Sequence, residues 1–161
     1  MSQLKILLTG LFFVLLQITL LNLMSIRGIR PDLIILFVVG RSLAEGPTAG
    51  VIWGFGLGLL LDAIGSGPIG LGALAYSVSG FFCGLIGPGK AISPARYLWV
   101  LALGSVITFA IFYYFREPWN IVGWTEPIWA RILPGTIYSW CLGLIWVLSP
   151  FSRFKAEKSR G

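Results

Sequence analysis

Two carboxylates, Asp32 and Asp62, stand near the ends of apolar runs, and Arg27 and Arg30 lie just before the first of them. Acids held beside other polar groups can do general acid–base work, or can hold a metal for phosphoryl transfer. Metal-assisted transfer gathers several acids, however, and only these two approach one place, with arginines beside them. Gly65-Ser66-Gly67 presents a serine, but a serine nucleophile needs a base and the chain has no histidine. A turn before Pro68 accounts for that triplet. With no histidine, two methionines, and Cys83 and Cys141 far apart in apolar runs, the usual ligands for zinc, copper, haem and iron–sulfur centres are missing. The sequence therefore reads as non-enzymatic, with no cofactor and no metal.

The charges need a structural explanation instead. Asp32 follows Pro31 in a first helical turn, where unpaired N–H groups and the helix dipole favour a carboxylate. Asp62 closes a run, where its charge opposes the dipole by about 0.3–1 kcal/mol. Compensation is expected from an ion pair with Arg30 or Arg27, or from capping of the following helix. We read Arg27, Arg30, Asp32 and Asp62 as a structural clasp or partner-docking group at the outer face. Arg41 and Glu45 have ion-pair spacing, but snorkelling of the arginine to the inner interface is the preferred reading. A second pattern is a glycine ladder: Gly46, Gly50, Gly54 and Gly58, joined in the next run by Gly80 and Gly84. Steps of four keep small residues on one helix face and let backbones approach closely in lipid. Packing within the chain is the first reading of the ladder, with contact with a partner's helix or a ligand cavity as the alternatives.

The elements that carry these residues are long and apolar. Of the 161 residues, 57% are hydrophobic and 11% charged, and the mean hydropathy is +0.88. Soluble domains average roughly 25% charged, and one core of this size could not hide so much apolar surface. The composition specifies an integral membrane protein. Prolines open or follow most runs, which gives helical segments at approximately 6–26, 31–44, 47–62, 68–87, 94–115 and 127–149. The expected fold is all-α and polytopic, with about six transmembrane helices. The second and third are short and joined by the tight turn Glu45-Gly46-Pro47, so this pair either crosses a thinned membrane or is re-entrant. Pro134 predicts a kink in the last helix. Residues 1–151 form one membrane domain, and 152–161 form a basic cytoplasmic tail.

The net charge of +6 is spread over ends and loops without a basic face, which argues against a nucleic-acid partner. Lysine and arginine instead set orientation. With both termini in the cytoplasm, Lys5, Arg41, Lys90, Arg96, Arg153, Lys155, Lys158 and Arg160 lie inside, against Arg27, Arg30, Arg116 and Arg131 outside. Trp119, Trp124 and Trp129 then fall in the outer loop, as an interfacial aromatic belt requires.

In order and spacing, Gly28-Ile29-Arg30-Pro31-Asp32-Leu33, Gly46-Pro47, Gly50, Gly54, Gly58, Leu61-Asp62 and Gly67-Pro68-Ile69-Gly70-Leu71 resemble the rod shape-determining protein MreD family. The resemblance covers mainly residues 28–85. It implies a bacterial inner-membrane subunit of the cell-elongation machinery that binds MreC. Through MreC it would meet MreB, RodA and a class B penicillin-binding protein, in support of rod shape and lateral peptidoglycan synthesis. It also implies a fold similar to the substrate-binding subunits of energy-coupling-factor transporters. The alternative is such a subunit itself, binding a vitamin or another small solute.

Overall fold

The structure, a computed structural model, describes residues 3–23, 32–65, 68–86, 93–116 and 128–148. Among them are six helices and no strand: α1 (Gln3–Leu23), α2 (Ile34–Glu45), α3 (Pro47–Ile64), α4 (Leu71–Leu85), α5 (Pro94–Arg116) and α6 (Ile128–Leu148). Each matches an expected segment to within a few residues, because the prolines sit where a missing N–H costs least. Pro47 and Pro94 open α3 and α5, and α6 runs as helix through Pro134. Arg27, Arg30, Ser66, Lys90 and the tail 152–161 lie outside the described residues, as do the side chains of Trp119, Trp124 and Trp129.

Helix α2 is the centre of the bundle. Its first six residues, 34–39, are all apolar and so cover the whole circumference, and Ile34, Ile35, Val38 and Val39 are fully buried, with Leu36 and Leu43 nearly so. A helix apolar on every face must be enclosed, and α1, α3, α4 and α5 all pack against it. Large apolar side chains are exposed on the other five helices, and none of them belongs to α2. Leu8, Leu11 and Leu15 on α1, Phe55 and Leu59 on α3, Phe82 on α4, Leu103 on α5 and Ile145 on α6 all face outward. Two helices, over Pro47–Ile64 and Pro94–Phe115, are long and apolar enough to cross a membrane.

The turn between α2 and α3 needs its glycine. Gly46 has φ 95°, a left-handed value that side chains avoid, and its N–H returns to the Ser42 carbonyl at 2.8 Å. From there α3 lies against α4 in the most extensive helix pairing of the fold. A Cβ placed on Gly50 would stand 2.4 Å from the Gly80 carbonyl oxygen; on Gly54, 2.4 Å from that of Tyr76; on Gly58, 2.6 Å from that of Gly72. Gly84 meets Pro47 and Gly46 in the same way. All six ladder glycines thus lie on one seam inside the chain.

Gly56, on the opposite side of α3, is exposed, and a Cβ there would meet nothing within 4 Å. The contrast gives a test by thermal unfolding in detergent. Gly54→Ala must push α3 off α4 and should destabilise by about 1–3 kcal/mol. Gly56→Ala should be neutral or stabilising by up to about 1 kcal/mol. Equal effects at the two positions would contradict the seam.

Candidate functional site

The first turn of α2 starts inside the bundle, beside Gln17 of α1. Its N–H groups have no helical partners and are far from water, so acceptors must come from side chains. Asp32 supplies two bonds: its Oδ1 accepts from Ile34 N at 3.1 Å and from Ile35 N at 3.3 Å. Gln17 of α1 supplies a third, its Oε1 accepting from Leu33 N at 2.7 Å. The Asp32 N–H donates to Ser139 Oγ of α6 at 3.2 Å, and Tyr76 of α4 donates its hydroxyl to Asp32 Oδ2 at 2.8 Å. Side chains from α1, α4 and α6 thus converge on one helix start.

The sequence expected a carboxylate to be favoured in this first turn, and the bonds from Ile34 N and Ile35 N bear that out. Asp32 is 4% exposed, enclosed by the bundle.

Asp62 acts at a separate helix start. Its Oδ2 accepts from Gly70 N at 2.9 Å, Gly72 N at 2.8 Å and Ala73 N at 3.2 Å, and Oδ1 accepts from Gly72 N at 3.1 Å. The carboxylate that α3 ends on therefore occupies the positive N-terminus of α4, which offsets its unfavourable place in its own helix. Of the two compensations expected from sequence, this is capping of the following helix; the arginines of the other lie outside the described residues. Gly72 leaves room for the cap, because a Cβ there would stand 2.4 Å from Asp62 Oδ1.

Asp32 and Asp62 are not brought to one reaction centre; each is spent on backbone N–H groups at a different helix start. At the other end of α2, Arg41 forms an ion pair with Glu45. The ion-pair spacing read from sequence is thus used, at the end of α2 where Glu45 is exposed. The arginine stem leaves the central helix among packed neighbours, its side chain is only 16% exposed, and the guanidinium is tied to the next turn.

Sequence reasoning missed the roles of Gln17, Tyr76, Tyr97 and the serines. Tyr97 donates to the Leu36 carbonyl of α2 at 2.9 Å, and Ser79 and Thr108 pair at 2.7 Å between α4 and α5. Polar atoms inside otherwise apolar runs were the available signal, since each must find a partner once buried. Tyr76→Phe should cost about 1.5–3 kcal/mol, the range for a bond to a charged group, measured by thermal unfolding. Asp62→Ala should cost about 0.5–2 kcal/mol as a lost cap, and because Tyr76 lies on the helix that Asp62 caps, the two losses should couple; strictly additive losses would contradict a shared dependence on the start of α4.

Comparison with curated proteins and with solved structures gave no match. The family profile described as rod shape-determining protein MreD matches residues 1–133, which takes in the glycine seam, the Asp62 cap and the Asp32 knot apart from Ser139. Its span also extends beyond the residues 28–85 that carried the resemblance, to include α1 and α5. A helical chain with two candidate spans and an apolar exterior agrees with a membrane protein. The chain belongs to the MreD family of rod shape-determining membrane proteins.

Proposed function

We propose that this chain is a non-enzymatic, multi-pass subunit of the bacterial inner membrane that binds MreC within the cell-elongation machinery. In that role it helps maintain rod shape and lateral peptidoglycan synthesis, and it meets MreB, RodA and a class B penicillin-binding protein through MreC. The family match over residues 1–133 carries the reading. In the same proposal all six helices belong to one membrane domain, with the basic tail 152–161 and both termini in the cytoplasm. The excess of lysine and arginine on that side supports this orientation. The α2–α3 hairpin includes a helix that starts inside the bundle, which is tolerated in a membrane because protein encloses it. Kinship with the substrate-binding subunits of energy-coupling-factor transporters belongs to the proposal as well.

The described residues favour a partner surface on the outside of the hairpin. The ladder face is spent on α4 and the two carboxylates on helix starts, so these hold the hairpin in shape. Ile52, Phe55, Leu59 and Leu60 of α3 face outward around Gly56, and nothing among the described residues fills the notch. Close approach at a glycine is a common way for a helix to bind another in lipid. Arg27 and Arg30, on the outer side in this orientation, complete the docking group.

Gly56→Leu should abolish co-purification with MreC while protein abundance stays normal. Retained co-purification at normal abundance would count against this face. Depletion of the protein should turn rod cells round; a vitamin requirement in cells of normal shape would instead support a solute carrier.

A further inference from the structure

Charged and amphipathic side chains mark where the apolar outer surface of the bundle begins and ends. Helix α4 has one charged group at each end: the Asp62 carboxylate accepts from Gly72 N at 2.8 Å, and the Arg96 guanidinium donates to the Ile86 carbonyl at 2.6 Å. Gly72 and Ile86 are about 21 Å apart along the helix at 1.5 Å per residue. Between them Leu74, Phe81, Phe82 and Leu85 face outward. Neither charge can stretch towards a distant interface, because each is held on the backbone of α4. Helix α3 gives the same length. It starts at Pro47, just after the exposed Glu45, and reaches Asp62 about 22 Å further on.

Helix α5 supplies a measure that uses neither Asp62 nor Arg96. Its Trp99 and Tyr114 are 74% and 71% exposed, with Leu103 and Val106 facing outward between them. Tryptophan and tyrosine collect at the two membrane–water interfaces, and these two rings start about 22 Å apart along the helix. Three helices thus carry an apolar band about 22 Å tall, whereas the hydrocarbon core of an ordinary bilayer is about 30 Å thick. Tilting cannot close the gap, because it shortens the reach of a helix across the membrane. The lipid has to give way instead, by roughly 4 Å in each leaflet.

We propose that the surface of α3, α4 and α5 fits a bilayer of short acyl chains, and that this chain thins the membrane around itself. The inference rests on the reading of the chain as a multi-pass membrane protein. If eighteen-carbon chains give about 30 Å, fourteen-carbon chains give about 23 Å. The full chain is reconstituted in phosphatidylcholines with monounsaturated chains of fourteen to twenty-two carbons, each mixed with brominated eighteen-carbon phosphatidylcholine, and tryptophan quenching is read. Chains of fourteen to sixteen carbons should protect the tryptophans best, with an affinity about twofold or more above that of eighteen-carbon chains. An optimum at eighteen carbons or longer, or no dependence on length, overturns the thin band and leaves the membrane reading standing. Failure to float with vesicles of any chain length overturns both.

A second measurement locates the band on α3, where Thr48 and Ala63 are exposed near the two ends. The chain's own exposed cysteine is removed by Cys141→Ala. In fourteen-carbon nanodiscs, Thr48→Cys and Ala63→Cys should each react with a membrane-impermeant maleimide about tenfold or more faster than Phe55→Cys midway between them, because the reactive thiolate forms where water reaches. Reaction of either end position as slow as that of Phe55→Cys overturns the proposal.

Discussion

Helix α2 begins inside the bundle, and its first N–H groups need acceptors where water does not reach. That need governs the arrangement of the other helices. Asp32 turns back on its own helix start, Gln17 reaches in from α1, and Tyr76 and Ser139 close the knot from α4 and α6. A buried carboxylate without donors would be far too costly to keep, whereas one with three is affordable. The knot and the helix therefore stabilise each other: α2 supplies the N–H groups that Asp32 needs, and Asp32 supplies the acceptor that α2 needs.

Around this centre the chain separates two kinds of apolar surface. On the inner side of α3, glycines bring its backbone onto that of α4 so closely that no side chain could intervene. On the outer side, large side chains face outward around one glycine that no neighbour requires. The inner seam makes a rigid hairpin, and the Asp62 cap fastens its far end to α4. A rigid hairpin with an apolar exterior suits a subunit that works by holding other proteins in the membrane. Asp32, Asp62, Tyr76 and Tyr97 are occupied in holding the fold, which accords with the scaffold role proposed above.

Much of this was legible in the sequence, for reasons that lie in local chemistry. Proline and glycine act at their own positions, so the six segments and the Gly46 turn could be marked without knowing any neighbour. Asp62 at the end of a run signalled a need for compensation, and capping of the next helix was one of the two answers. The four-residue steps placed Gly50, Gly54 and Gly58 on one face, yet the pattern is the same whether that face meets the chain's own α4 or another protein. The enclosure of Asp32 was not legible, because it depends on the helices that pack around the start of α2.

Composition, proline positions and glycine spacing by themselves determined a helical membrane protein, its segment boundaries and its small-residue face, since each depends on a residue and its near neighbours along one chain segment. Tertiary structure alone decided that α2 lies at the centre and that Tyr76 and Ser139 serve Asp32. It also decided that the glycine ladder faces inward and that Asp62 and Arg96 close the two ends of α4. Those outcomes rest on contacts between helices far apart in sequence, where packing sets the level and facing of each helix and no local pattern records them.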